Sequence, residues 1–362
     1  MLDAPAQPTT EERFFERIAQ VLDHGAVTVM LSVGHRAGLF DLLRGRAALS
    51  SQELATASGY AERYLREWLA VMVTGGIVAY EPATQRYSLP DAHTACLTRD
   101  APLGNLAVYA QTVALAGGMQ ERLLEAFRSG GGIEYGEYPC FHEIMAEDSG
   151  QTVVAGLEEI LSALVPDVTD RLRAGIDVLD AGCGAGRALV KLAGLFPASR
   201  FTGYDLCADA VDMARAAAAD AGVDNLTFQV RDLATLDQTS AYDLITSFDA
   251  IHDTKDPAAL LRALARALRP GGVHLMQDIG GSAKLENNLD FPFASLLYTI
   301  FCMHCTPVSL AQGGAGLGTM WGWETALDML NAAGHAEVAR HVLPHDPMNV
   351  WFVSRVADAA AA

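Results

Sequence analysis

The sequence predicts an α/β protein: a doubly wound, mostly parallel sheet in the C-terminal half, preceded by a smaller, mainly helical module. Three observations carry that prediction. A buried apolar strand runs into the glycine-rich turn Asp180-Ala181-Gly182-Cys183-Gly184-Ala185-Gly186. Strand-like and helix-like segments then alternate as far as residue 354, the order of a parallel sheet with helical crossovers. The first hundred residues instead give helical segments followed by a short hairpin.

In chain order, residues 11–40 repeat apolar side chains at helical spacing, with a break expected at His24-Gly25. A second helix opens at Ser50, because a serine cap followed three residues later by Glu53 is a reciprocal capping pattern, and Gly59 ends it. Residues 62–73 form a third. Gly75-Gly76 then leads into Ile77-Val78-Ala79-Tyr80, which pairs back with Arg86-Tyr87-Ser88-Leu89. Residues 101–173 read as mainly helical, interrupted by the turn at 130–139.

The strand from Val178 ends in D-x-G-x-G-x-G. Glycines there let the backbone approach a ligand and adopt conformations other residues avoid. A dinucleotide fingerprint would need glycine at Arg187 or Leu189, so that reading fails on spacing. A helix follows over 187–195. The second strand, 200–205, ends in Asp205, where an acid can accept both hydroxyls of a ribose. A helix over 208–219 leads to a third strand over 226–232, ending in Asp232. The fourth strand covers 242–249 and an amphipathic helix 257–268. The turn Arg269-Pro270-Gly271-Gly272 precedes a fifth strand over 273–278. A helix over 323–333 and strands near 337–343 and 349–354, bounded by Pro344 and Pro347, complete the pattern.

With Asp180, Gly182, Gly184, Gly186, Asp205, Asp232 and the Leu-Arg-Pro-Gly-Gly turn in register, this half resembles the class I methyltransferases that use S-adenosyl-L-methionine (SAM). The resemblance implies a Rossmann-like, doubly wound, seven-stranded sheet with a reversed final strand. It places Asp205 on the ribose and Asp232 on the adenine amino group. Leu206, Leu233, Phe248 and Asp249 complete the implied cofactor site. The N-terminal order resembles the winged-helix domain of small-molecule O-methyltransferases, where it serves dimerisation. The stretch Gly130-Gly131-Gly132 to His142-Glu143 is similar to one in a bacterial group of such proteins. The implied domains are a winged-helix dimerisation domain at 1–98, a helical linker and active-site cover at 99–173, and a SAM-binding domain at 174–362.

His252-Asp253, directly after the fourth strand, matches the histidine–aspartate pair of O-methyltransferases. The resemblance makes His252 the catalytic base, and imidazole suits proton transfer near neutrality. The tryptophan usual after that pair is Thr254 here, Asp256 is retained, and the family's further acid partner, usually a glutamate, has no assigned position. A histidine that only caps or packs the loop is the competing reading. Tyr135, Tyr138, His142, Met303 and His304 are candidates for the acceptor pocket, against a plain packing role for the aromatics. Cys302-Met303-His304-Cys305 is half of a zinc pattern with no second half, so no metal is expected. Trp321 and Trp323 are expected to pack the cover.

Composition sets further limits. The net charge of −19 argues against a nucleic-acid or anionic-membrane partner, because phosphate binding needs a basic surface. Residues 40–98 hold five basic and six acidic residues, which makes the winged helix a poor DNA binder. Met1-Leu2-Asp3-Ala4-Pro5 lacks the basic and apolar regions of a secretion signal, and the six cysteines show no disulfide spacing, so a reducing cytoplasm is expected. Residues 291–323 contain no Asp, Glu, Lys or Arg, yet Pro292, Pro307 and a glycine run interrupt them. A buried cover is expected there rather than a membrane span. The expected protein is a cytoplasmic homodimer that methylates a small, aromatic or apolar acceptor, oxygen favoured. The alternatives are a SAM-binding transcriptional regulator using the winged helix on DNA, and a SAM-binding protein without catalysis.

Overall fold

The first helix runs further than its sequence suggests. In the computed structural model, which describes residues 9–102, 104–318 and 320–356, α1 spans Thr10–Arg36 without a break at His24-Gly25. A glycine inside a helix costs about 1 kcal/mol relative to alanine. Here Gly25 is exposed, and the helix is anchored by a reciprocal cap between Thr9 and Glu12. The chain turns instead at Gly38, whose φ of 68° is left-handed. Residues 1–5, read above for a secretion signal, lie outside the described residues.

The structure divides into two compact units, Met1–Ala114 and Leu115–Ala362. In the first, α2 (Leu39–Leu43), α3 (Ser51–Ser58) and α4 (Glu62–Thr74) pack with α1, and β1 (Ala79–Glu81) pairs antiparallel with β2 (Arg86–Ser88) before α5 (Asp91–Leu97). The Ser50–Glu53 capping box forms as expected. Phe40, Leu54, Leu65, Trp68, Leu69 and Met72 make the core. Gly34 permits it, since a Cβ there would lie 2.5 Å from the Trp68 ring. The division between units falls within α6 (Ala107–Gly118).

The second unit continues with α7 (Gln120–Ser129), a 3-10 turn at Tyr135–Glu137, α8 (Phe141–Ser149), α9 (Leu157–Leu164) and α10 (Pro166–Ala174). The sheet elements are β3 (Asp177–Ala181), α11 (Arg187–Leu195), β4 (Arg200–Asp205), α12 (Ala208–Ala221), β5 (Leu226–Val230), β6 (Tyr242–Phe248), α13 (Pro257–Ala267) and β7 (Leu268–Ile279). Then come α14 (Ala294–Ile300), α15 (Thr306–Ala311), α16 (Trp323–Ala332), β8 (Glu337–Leu343) and β9 (Asp346–Arg355). The seven strands lie in the order β5-β4-β3-β6-β7-β9-β8. The first five are parallel, whereas β9 runs antiparallel to both β7 and β8.

Alternating residues feed two cores, as a period-2 strand requires. Val178, Leu244, Leu275 and Trp351 face one side with α9 to α12, and Leu179, Ile245, Met276 and Phe352 face the other with α13 and α16. Strand order reverses between β3 and β6, and in open α/β sheets ligands bind at the carboxyl edge of such a switch point.

Three boundaries differ from expectation. The third strand stops at Val230, and Asp232 sits beyond it as the cap of a 3-10 turn, its Oδ1 accepting from Ala234 N at 2.8 Å. The Arg269–Gly272 turn is absorbed into β7, where pairing with β6 shifts register between Tyr242 and Leu244. Pro307 does not interrupt its helix. A π-turn, Phe301–Cys305, joins α14 to α15, and Pro307 falls in the first turn of α15, where its missing N–H leaves no bond unmade. The resulting run Ala294–Ala311 is long and apolar enough to cross a membrane by length and composition alone, and 33% of it is buried within the protein. The expected cover is therefore partly exposed rather than fully buried.

Candidate active site

The glycine turn follows β3 directly, and Gly182, Gly184 and Gly186 all have positive φ, at 84°, 50° and 71°. Two of them are closed against protein: a Cβ on Gly182 would lie 2.4 Å from Ala250 Cβ, and one on Gly186 2.4 Å from Phe228 Cζ. A Cβ on Gly184 would meet nothing within 4 Å, so this glycine borders open space. Gly184 N donates to Asp205 Oδ2 at 2.8 Å and Cys207 N to Asp205 Oδ1 at 2.9 Å. Each carboxylate oxygen keeps a lone pair for a further donor. Burial raises the Asp205 pKa, and those two N–H groups only partly restrain it, so added donors are favoured. The cradle and the acid fit the ribose of the expected cofactor.

The other expected cofactor residues occupy the same carboxyl edge of the sheet. Leu206 is exposed, Asp232 is exposed at its cap, and Leu233 is buried in the α13-side core. Phe248 packs edge-on to Trp351, with centroids 5.9 Å apart. Asp249 ends β6 with a φ of 48°, an unusual conformation for a side-chain-bearing residue and one that clusters at functional sites. Its Oδ2 accepts from Gln277 Nε2 at 3.0 Å. Burial first, and then Asp278, raise its pKa well above the ordinary range, with His252 and Gln277 opposing.

His252 is 3% exposed and lies between two carboxylates. Its Nδ1 hydrogen-bonds Asp278 Oδ1 at 2.8 Å, and its Nε2 lies 3.1 Å from Asp253 Oδ1. Asp278 is the partner that sequence reasoning missed. It closes β7 after Leu275-Met276-Gln277, and an acid at the carboxyl end of a buried strand was the available signal. Asp278 Oδ1 also accepts from Ile279 N at 2.8 Å and Trp321 Nε1 at 3.2 Å, so Trp321 does more than pack. Trp323 packs under the Arg340 guanidinium, 4.1 Å from the ring centre. Burial works against the His252 charge, but Asp278 and Asp253 outweigh it and lift its pKa well above the ordinary value.

The acceptor-pocket candidates gather around Asp253. The Tyr135 hydroxyl donates to Asp253 Oδ2 at 3.3 Å, and His304 Nδ1 lies 3.7 Å from the same atom. The His304 ring stacks on Phe141 at 3.9 Å and meets Tyr138 edge-on at 4.7 Å, while the Tyr138 hydroxyl donates to Met303 O at 2.7 Å. Burial lowers the His304 pKa to about 4 despite Asp253, so the ring is neutral. His142 stands 3.5 Å from Asp209 and stacks on Tyr135. Met303, His304 and Cys305 come from the π-turn, a helical irregularity frequent at functional sites. Cys305 joins His252 and Asp253 in one group of potential ligands, and His142, Cys207 and Asp209 form another.

Asp180, 2% exposed, accepts from Thr246 Oγ1 at 2.8 Å. Burial raises its pKa to about 7, with Thr246 opposing. The folded protein therefore keeps this proton over a range in which the unfolded chain has lost it. The stability so gained is full below the unfolded value and is lost as pH rises towards 7. Without cofactor, Asp180→Asn is expected to resist urea better than wild type at pH 8. The difference should shrink towards pH 4, as measured by chemical denaturation across that range.

Comparison with known proteins agrees with the fold. Residues 25–99 match the Rv2258c-like winged HTH domain family, and residues 172–334 match a methyltransferase domain family. Human N-acetylserotonin methyltransferase, solved in complex with SAM, superposes with a TM-score of 0.68 at 18% identity, over 97% of this chain and 100% of that one. Mitomycin 7-O-methyltransferase gives 0.68 at 18% identity, over 95% and 98%. These likenesses establish the fold. The ubiquinone biosynthesis O-methyltransferases of Xanthomonas oryzae pv. oryzae and Albidiferax ferrireducens are 36% and 33% identical over 124 and 113 residues. Those matches cover 32% and 31% of this chain and 51% and 44% of the relatives, so the chain spans about half the length of the curated relatives it matches. The chain joins a winged helix-turn-helix domain to a methyltransferase domain.

Proposed function

We propose that the protein is a SAM-dependent methyltransferase acting on a small, aromatic or apolar acceptor, with oxygen as the atom methylated. The observation that carries this reading is the meeting, at one sheet edge, of an open glycine cradle with its ribose acid and a histidine held by a strand-end carboxylate. The relatives named for O-methylation favour oxygen.

Bound SAM supplies an electrophilic methyl group and a sulfide leaving group. The protein aligns the acceptor lone pair with that methyl and manages the acceptor proton. Asp278 fixes the His252 ring through Nδ1, which leaves Nε2 as the atom to receive a proton. Tyr135, Tyr138, Phe141 and His304 offer ring faces and edges that suit an aromatic acceptor. The many carboxylates beside them disfavour an anionic one.

The reading includes a homodimer formed by the N-terminal unit. On α1, Phe14, Phe15, Ile18, Val21, Leu22, Val29 and Val33 are between 43% and 76% exposed. They share one face about 120° wide, an apolar stripe that a second copy would cover. DNA is the poorer partner for this unit, since Arg63 pairs with Glu67, Arg66 with Glu62, Arg86 with Glu53 and Arg44 with Asp100. A reducing cytoplasm suits the six free cysteines.

Three outcomes test the reading. Asp205→Ala should weaken SAM binding by about 2–3 kcal/mol in calorimetry, while NAD should not bind wild type. His252→Ala should lower turnover on a phenol or alcohol by about 10²–10⁴-fold with SAM affinity nearly unchanged. Because only neutral imidazole takes the proton, the wild-type rate should rise with pH, through a limb above the ordinary histidine value of 6.5. Retention of more than about a tenth of wild-type turnover would make His252 positional. Sedimentation should give a dimer for wild type and a monomer for Phe15→Glu/Leu22→Glu; an intact monomer would refute that assembly.

A further inference from the structure

Both ring nitrogens of His252 face carboxylates, and this conflicts with a resting base. A neutral imidazole has one donor and one acceptor, whereas ionised carboxylates only accept. Asp278 on Nδ1 and Asp253 beside Nε2 therefore call for the imidazolium, which has no lone pair for an acceptor's proton. The two contacts are unequal. The Asp278 contact is an aligned hydrogen bond at 2.8 Å, whereas Asp253 Oδ1, though 3.1 Å away, lacks hydrogen-bond alignment. The other oxygen of Asp253 already accepts from Tyr135, with His304 Nδ1 3.7 Å from it. The Asp253 backbone is tied to α15, its carbonyl accepting from Gln312 Nε2 at 3.2 Å, so a shift of the carboxylate between its neighbours is a rotation of the side chain.

We propose that Asp253 gates the site: in the form seen here it closes the Nε2 face of His252, and its transfer onto Tyr135 and His304 opens that face to the acceptor. This deepens the reading of His252 as base and rests on it. Asp253 is a positioning residue, acting through His252. Tyr135 suits the receiving role because burial, and then Asp253 itself, keep its phenol un-ionised, so it can only donate to the carboxylate. The neutral His304 ring adds no competing charge. Once Asp253 has moved, the Nε2 proton leaves to solvent. The acceptor O–H bond then breaks, with its proton passing to Nε2 and its electron pair staying on oxygen. The groups facing His252 are Asp278 from β7, Asp253 from its own loop, Asp249 just after β6, and His304 and Cys305 from the π-turn, with Tyr135 behind Asp253.

The test has two readouts: the titration of His252, which needs no acceptor, and turnover on a phenol or alcohol. In protein labelled with 15N-histidine, the His252 resonances, assigned by their loss in His252→Asn, are followed by nuclear magnetic resonance from pH 5 to 10. Wild type should show both nitrogens protonated at pH 7.5. Asp253→Asn removes one of the two charges and should move the titration down by about one unit or more. Tyr135→Phe keeps the ring and removes only the hydroxyl. It should leave Asp253 on Nε2, hold the titration at or above wild type, and slow turnover by about tenfold with SAM affinity unchanged. Opposite responses to two neighbouring substitutions are not expected of residues that merely pack. A wild-type His252 titrating near 6.5, or an Asp253→Asn variant whose titration does not move, overturns the proposal. Should Asp253→Asn not fold, Tyr135→Phe decides, and unchanged turnover in it is the overturning result. Failure of the base reading is distinct, because it appears as turnover retained by His252→Ala, whatever the titrations show.

Discussion

Carboxylates taken out of water must find protons, donors or counter-charges, and Asp180, Asp205, Asp249, Asp253 and Asp278 all meet at the carboxyl edge of one sheet. Each is settled differently. Burial raises the Asp180 pKa to about 7 and that of Asp249 well above the ordinary range. Asp205 takes two backbone N–H groups from the glycine turn and the start of α12. Asp253 and Asp278 both face the His252 ring; burial alone would raise the Asp253 pKa, but His252 brings it down to about 2. An edge so rich in acids, with so few fixed cations, suits a cationic ligand and repels an anionic one.

That electrostatic arrangement depends on the sheet beneath it. β3 and β6 are buried on both faces, so the side chains in their middles are apolar, and polar groups emerge together at the carboxyl ends beside the switch point. Packing at the turn is equally tight: any side chain on Gly186 would strike Phe228, which fixes the path of the loop over β4 and β5. The open side of Gly184 is then a consequence of its closed neighbours.

The helical segment before the sheet and the π-turn after β7 supply the aromatic half of the site. Tyr135, Tyr138 and Phe141 lie more than 160 positions from His304 in sequence, yet their rings make contact. This second half is held by ring packing and a few hydrogen bonds rather than by a sheet ladder, the kind of construction that opens locally at low cost.

Local pattern was enough to determine the α/β class, the succession of strands along the chain, the Ser50 capping box, the glycine turn and the place of Asp205 at the end of β4, because each depends on periodicity or on neighbours a few residues apart. His252 was legible for the same reason, as part of a short motif after a strand. Its partner was not. Asp278 lies 26 residues away on β7, and only the parallel pairing of β6 with β7 brings the two to 2.8 Å. The unbroken α1 and the helical run through Pro307 were likewise decided by tertiary context, which outweighs a glycine or a first-turn proline worth about 1 kcal/mol or less. The contact of Asp253 with His252, Tyr135 and His304 joins three distant segments. No spacing in the sequence encodes such a meeting; it arises when the sheet edge, the 3-10 turn and the π-turn pack over the same carboxylate.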